Sequence, residues 1–467
     1  MQDNSPVSTP ENGHTAHPPS SDNHARTHEF SLRENILILD WKRRLVFWSG
    51  AISVGVVAIL LAVAAEWANL QFHKLLTISP YLPLLVTPLG LALIVFITQK
   101  FFPGSQGSGI PQTIASLDPK ESSIIRERVL SLRVTIGKLF LTIFGLLCGA
   151  SVGREGPTVQ IGASIMHKLG GLARFPKHDL EKGLILAGAA AGVAAAFNTP
   201  LAGIVFAIEE MSRSFEERNT TTILMTVIIA GITSLALLGN YAYFGHTSET
   251  LAFGKEWDVV IICGITGGLL GGAFSRFLIE VNKGLIGRMG AWMRAKPIAF
   301  AAACGFTLAL IGLASGNTTY GSGYGEAKLL FDGNASLPES YGLLKMMATV
   351  VSYVSGIPGG IMAPTLSAGA GFGSSIAHFF TSVPPGAAII LGMVAYFSGV
   401  TQAPITAFVI VMEMTDNHEM LLPLMAAAFI AKICSRLICP TPLFHTMAQN
   451  FLYKSALPAK DDKALPS

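Results

Sequence analysis

Acids embedded in apolar sequence carry the first chemical signal. Glu155 lies in Gly153-Arg154-Glu155-Gly156-Pro157, directly after the uncharged run Leu139–Gly153. An ionisable side chain in hydrocarbon costs at least about 2.5 kcal/mol, which makes it functional by default. A salt bridge to Arg154 is the plainer reading, but adjacent residues point apart on a helix. Glu209 and Glu210 close the uncharged run Gly183–Ile208. Alone, they read equally as an acidic helix end at the water interface or as groups that handle protons. Ser108, in Gly107-Ser108-Gly109-Ile110-Pro111, offers either a hydroxyl to a ligand or a cap to a helix starting near Ile110. The Gly-rich loops run into apolar helices, whose free N-terminal amides carry about half a positive charge. Several such ends converging in lipid would bind an anion without burying a cation there.

Other chemistries fit less well. Gly149-Ala-Ser151-Val-Gly153 has the Gly-x-Ser-x-Gly form of a hydrolase nucleophile. That reading needs a strand–turn–helix and a partnered base, for which only His378 and His445 could approach. No His-Glu-x-x-His occurs, and the five cysteines show no metal spacing, so no metal or cofactor is expected. A net charge of +3 without a basic stripe gives no reason to expect nucleic acid.

The elements that must position these residues are membrane helices. Hydrophobic residues make up 51% and charged residues 13% of the 467-residue chain, against about 25% charged in soluble domains. Mean hydropathy is +0.52. The uncharged stretch Met346–Met412 is 67 residues long and contains Pro358, Pro364, Pro384, Pro385 and Pro404. One bilayer crossing needs about 20 residues, so this stretch must hold several helices. Broken backbone in lipid must be buried in protein or line a cavity, which is the architecture of a channel or transporter. Arg33 and Lys42–Arg44 precede the first apolar run, which places the N-terminus in the cytoplasm, and Lys454, Lys460 and Lys463 favour the same side for the C-terminus. Residues 1–33 form a polar arm expected to be disordered and free of a signal peptide, 34–453 the membrane domain, and 454–467 a short polar tail.

Three segment pairs recur in order. Gly107-Ser-Gly-Ile-Pro-Gln112 matches Gly321-Ser-Gly-Tyr-Gly-Glu326. Gly153-Arg-Glu-Gly-Pro-Thr158 matches Gly360-Ile-Met-Ala-Pro-Thr365. The run from Pro200 to Glu209 matches that from Pro404 to Glu413, and the offsets are 214, 207 and 204 residues. Two halves, roughly 34–245 and 246–453, are therefore expected, and Gly/Pro-broken segments at matching positions point to a binding site between them.

These loops, together with Pro200…Glu210 and Ala403-Pro404…Glu413, resemble the signature segments of the CLC family of chloride channels and chloride–proton antiporters, over roughly Lys42 to Leu452. The likeness is to the bacterial type without cytoplasmic regulatory domains. It implies an all-α membrane fold of about eighteen helical segments of uneven length in two inverted repeats, with helices broken at the bilayer midplane. It further implies a homodimer in an inner (plasma) membrane, with chloride or other small anions and protons as cargo. By the same resemblance, Ser108, Gly109, Ile110, Gly156, Ile361, Met362 and Phe444 surround the anion. Glu155 is the external gate and proton carrier, and Glu210 the internal proton-transfer acid, while Glu413 makes a structural contact. Many relatives carry Phe where this chain has Met362, and Tyr, a hydroxyl donor to the anion, where it has Phe444. Gln112 replaces a frequent acid and is expected to affect the surface. Proton-coupled exchange and a passive channel both remain open.

Overall fold

The computed structural model describes residues 22–118, 123–172, 179–211, 217–239, 243–284, 288–333 and 337–456. Helices in chain order are α1 (Asp22–Ile78), α2 (Pro83–Phe101), α3 (Ile110–Ser116), α4 (Ser123–Val129), α5 (Leu132–Leu147) and α6 (Glu155–Leu172). There follow α7 (Asp179–Phe197), α8 (Pro200–Phe206), α9 (Glu217–Leu238), α10 (Asp258–Gly284), α11 (Arg288–Ala295) and α12 (Pro297–Ala314). The chain continues through α13 (Tyr324–Phe331), α14 (Tyr341–Val354), α15 (Met362–Ala377), α16 (Pro385–Thr401), α17 (Pro404–Thr415), α18 (Leu421–Ile438) and α19 (Leu443–Ala456). Residues 1–46 and 47–467 form separate units. Of the expected disordered arm, residues 1–21 lie outside the described residues, and from Asp22 the backbone is helical. The tail beyond Ala456 also lies outside them.

Among the described residues, six spans are long and apolar enough to cross a membrane, and four further apolar helices are shorter. Leu60, Leu85, Phe140 and Leu437 stand more than 60% exposed, an outer surface suited to lipid. The uncharged 67-residue stretch resolves into the end of α14, then α15, α16 and most of α17; Pro358 and Pro384 lie in the breaks, Pro385 and Pro404 open α16 and α17, and Pro364 sits in the first turn of α15. Proline lacks the donor an interior turn needs but is tolerated in the first turn. Pro200, Pro297, Pro385 and Pro404 accordingly open their helices.

Small residues let the helices approach closely. A Cβ on Gly188 would lie 2.3 Å from the Gly162 carbonyl oxygen where α6 meets α7. The repeat-related pair, Gly392 and Gly369, makes the same approach at 2.5 Å where α15 meets α16. The repeats are inverted, and two contacts establish it. Gly153 and Gly360 exchange both N–H···O bonds at 2.7 Å as an antiparallel bridge between equivalent loops. Glu209, just beyond α8, accepts from the N–H groups of Ile405 (3.2 Å) and Thr406 (2.7 Å) at the start of α17. Glu413, near the end of α17, accepts from Leu201 (3.1 Å) and Ala202 (2.7 Å) at the start of α8. Each helix ends where the other begins, so the pair is antiparallel. Each carboxylate also satisfies amides that have no intrahelical partner. The structural contact expected of Glu413 is this one.

Glu209→Ala and Glu413→Ala should each destabilise the protein by about 1–2 kcal/mol, the scale of a part-exposed hydrogen bond to a charged group. Thermal unfolding in detergent should give similar midpoint losses for the two variants. A loss in only one of them contradicts the reciprocal arrangement.

Candidate anion-binding site

The first loop is shaped by glycine. Gly107 (φ +73°) and Gly109 (φ +105°) hold conformations that side chains rarely adopt. A Cβ on Gly109 would sit 2.8 Å from the Gly156 carbonyl oxygen, so α3 and α6 meet at their tips. Gly109, not Ser108, is the residue at the N-cap of α3. Ser108 is 1% exposed, and its hydroxyl has no hydrogen-bond partner among the described residues, which removes the capping reading. A buried hydroxyl without a partner is costly and marks a place where an acceptor would be stabilised. That place adjoins the start of α6. A Cβ on Gly156 would meet Ser108 Oγ at 2.3 Å and Gly360 Cα at 3.3 Å.

Gln112 corrects the expectation made for it. The side chain is 8% exposed rather than on the surface. Its Oε1 accepts from the Gly109 N–H at 3.0 Å, and its Nε2 donates to the Gln106 carbonyl at 2.9 Å. An amide both accepts and donates, so it closes the loop from two sides. Lys138 adds a third tether: fully buried, it donates to the Gly107 carbonyl at 2.9 Å.

The second approach comes from α15. Ile361, Met362 and Ala363 are at most 2% exposed and form its N-terminal turn. The Ala363 N–H faces Glu155 Oε2 at 3.4 Å. Glu155 itself has no exposed surface, and its Oε1 accepts from the Tyr324 hydroxyl at 2.8 Å. The carboxylate therefore rests at a helix N-terminus, where an anion is favoured. Gly153 makes room for it, since a Cβ there would lie 2.2 Å from Glu155 Oε2. Arg154 turns to other partners, donating to the Ala62 carbonyl at 2.7 Å and to the Tyr243 hydroxyl. Phe444, 1% exposed, opens α19, which packs against α3. Its side chain carries no hydrogen-bond donor.

Glu210 is 3% exposed and lies on a π-helical turn, Ala207–Met211. Such turns are frequent at functional sites. Neighbouring acids take different directions, so Glu209 reaches α17 while Glu210 is buried. The equivalent positions in the second half are Met362 for Glu155 and Met414 for Glu210. The titratable pair thus belongs to one repeat of an otherwise symmetric frame.

Among the described residues, Ser151 lacks the setting of a hydrolase nucleophile. Its hydroxyl pairs with Thr349 Oγ1 at 3.2 Å, and its N–H donates to Ser352 at 3.0 Å. Isolated bridges replace the strand that a hydrolase elbow requires.

Three residues of this region escaped the reading by motif. Tyr324 was visible only as one letter of a repeat, and Tyr243 gave no signal. Lys345, fully buried, donates to the carbonyls of Thr319 (3.0 Å), Tyr320 (3.1 Å) and Gly321 (2.8 Å). It stands 207 residues after Lys138, and both lysines hold the glycine that begins the equivalent loop. A lone basic residue beside a long apolar run was the signal that could have found them.

Comparison with known proteins establishes the family and the fold. The family model described as voltage gated chloride channel matches residues 90–436. The H(+)/Cl(-) exchange transporter ClcA of Yersinia pestis bv. Antiqua (strain Angola) is 32% identical over 446 residues, covering 88% of this chain and 89% of that protein. ClcA of Yersinia pseudotuberculosis serotype IB (strain PB1/+) matches at 32% over 445 residues, with the same coverage. The crystal structure of a slow cyanobacterial Cl-/H+ antiporter superimposes with a TM-score of 0.74 at 28% identity, covering 88% of this chain and 98% of the other. A CLC-type fluoride/proton antiporter has the same fold, with a TM-score of 0.72 at 22% identity over 85% and 96% of the two chains. With the matched region spanning most of the membrane helices, the chain belongs to the voltage-gated chloride channel family, the CLC family.

Proposed function

We propose that the protein exchanges chloride for protons across a bacterial inner membrane. It would act as a homodimer with an anion pathway in each copy and both termini in the cytoplasm. The observation that carries this reading is the position of Glu155. Its carboxylate is fully buried at the N-terminus of α15, in the region where the unpartnered Ser108 hydroxyl adjoins Gly156 and Gly360. An ionised carboxylate and a chloride ion favour the same helix terminus, so either can occupy it. Protonation removes the charge that holds the carboxyl there and frees it to leave. The same side chain would then act as gate and proton carrier. Glu210, buried on its π-helical turn, supplies a second acid for protons from the cytoplasmic side. In this scheme Ser108 donates to the central anion. Gly109, Ile110, Gly156, Ile361 and Met362 contribute backbone, and Phe444 contributes only an apolar wall. The exchange activity named for the ClcA relatives supports this assignment. Phe444 is the observation that favours a passive channel as second reading, because it removes one donor from the central site and weakens the anion hold on which coupling depends.

Purified protein in liposomes under a chloride gradient should drive protons against the anion flow, recorded as a change in external pH; chloride flux that leaves pH untouched selects the channel. Glu155→Ala should retain chloride efflux while proton movement falls to background. Proton pumping that survives this change removes Glu155 from its role. Glu210→Gln should leave chloride efflux within about a factor of a few, as expected of a residue away from the anion itself, and abolish proton transport. Unchanged coupling there returns Glu210 to a structural role.

A further inference from the structure

Tyr324 holds the proposed gate more closely than any residue the motifs single out. Its phenol donates to Glu155 Oε1 at 2.8 Å, while Glu155 Oε2 has only a long contact, 3.4 Å, to a backbone amide. The phenol is itself held from several sides. Its ring stacks on Tyr243 with centroids 5.0 Å apart and planes at 24°. Phe244 lies at 5.9 Å, and the Arg154 guanidinium at 5.8 Å from the ring centre. The backbone leading to it is equally constrained. Lys345 holds the carbonyls of residues 319–321, and Ser367 donates to the Gly323 carbonyl at 2.8 Å. Gly323 has φ +84°, and a Cβ there would meet Ser367 Oγ at 2.3 Å. Tyr243 is placed by the segment between the halves, where Phe244 and Thr247 donate to the Met414 and Thr415 carbonyls, each at 3.1 Å. Its hydroxyl also meets Arg154 and the Ala196 carbonyl. The charged and titratable groups around the Tyr324–Glu155 pair are thus Arg154 and Tyr243.

We propose that Tyr324 is a positioning residue for the gate: its hydroxyl latches the ionised Glu155 carboxylate in the anion pathway and so sets how readily the pathway opens. The inference rests on the gate reading of Glu155 given above. A phenol donates more strongly to a carboxylate than to a neutral carboxylic acid. The latch therefore favours the closed, ionised state and weakens when a proton arrives. Phe444 removes a hydroxyl from the inner part of the site, whereas Tyr324 supplies one at the gate. In this chain the carboxylate and the central anion would each have one side-chain donor, Tyr324 and Ser108 respectively.

The test is initial chloride efflux from proteoliposomes across a range of external pH. It compares the wild-type protein, Tyr324→Phe, Glu155→Gln and the double variant. Tyr324→Phe keeps the ring and its stack, and should raise efflux at neutral pH on the order of tenfold, the weight of one hydrogen bond to a charged group. It should also move the profile toward alkaline pH while protons still move with chloride. In the Glu155→Gln background the same change should have no further effect, because the latch acts only through the carboxylate. A partly unfolded preparation scales the profile without moving it. A Tyr324→Phe profile at the wild-type position, or an equal effect in both backgrounds, overturns the latch alone. A Glu155→Gln profile identical to wild type overturns the gate reading, and the latch with it.

Discussion

A peptide N–H surrounded by hydrocarbon must find an acceptor, and this constraint organises the whole protein. An unbroken helix satisfies it internally, whereas a helix that starts inside the apolar chain leaves its first amides without partners. Here those amides are turned toward one another's repeat. The loops before α6 and α15 close through the Gly153–Gly360 pair, and the starts of α8 and α17 are met by Glu413 and Glu209. What remains free at the tip of α15 faces the Glu155 carboxylate. Structural caps and candidate anion site are therefore the same physical device with different acceptors.

The inverted repeat supplies these ends in pairs, and the side chains then break the symmetry. Lys138 and Lys345 occupy equivalent positions and hold equivalent loops. A buried ammonium costs several kcal/mol unless its donors are satisfied. Lys345 meets three carbonyls, which both satisfies the ammonium and stiffens the loop that carries Tyr324. Glu209 recurs as Glu413, but the positions equivalent to Glu155 and Glu210 in the other half hold Met362 and Met414.

Substitutions away from the family's common residues acquire meaning from their neighbours. Gln112 keeps the acceptor that the Gly109 amide needs and adds a donor for Gln106, so a neutral residue serves where an acid is frequent. Phe444 is buried near the start of α19 and contributes no polar side-chain atom. Tyr324 carries a hydroxyl to Glu155.

Membrane residence, the division into many uneven helices, the repeat and the unusual placement of Glu155, Ser108 and Glu210 in apolar sequence were all legible in the linear chain. Each depends on local quantities: charge density, proline and glycine spacing, and the cost of an acid in an apolar run. Tertiary structure decided how those pieces face one another. The antiparallel sense of the halves became visible only when Glu209 and Glu413 were found on each other's helix ends, because identical motifs can be related by either kind of two-fold. The hydroxyl partner of Ser151 and the Tyr324–Glu155 bond join residues 198 and 169 positions apart. Sequence spacing carries no distance information across such loops, since the closure that brings them together is set by the packing of α13, α14 and α15 rather than by any periodicity along the chain.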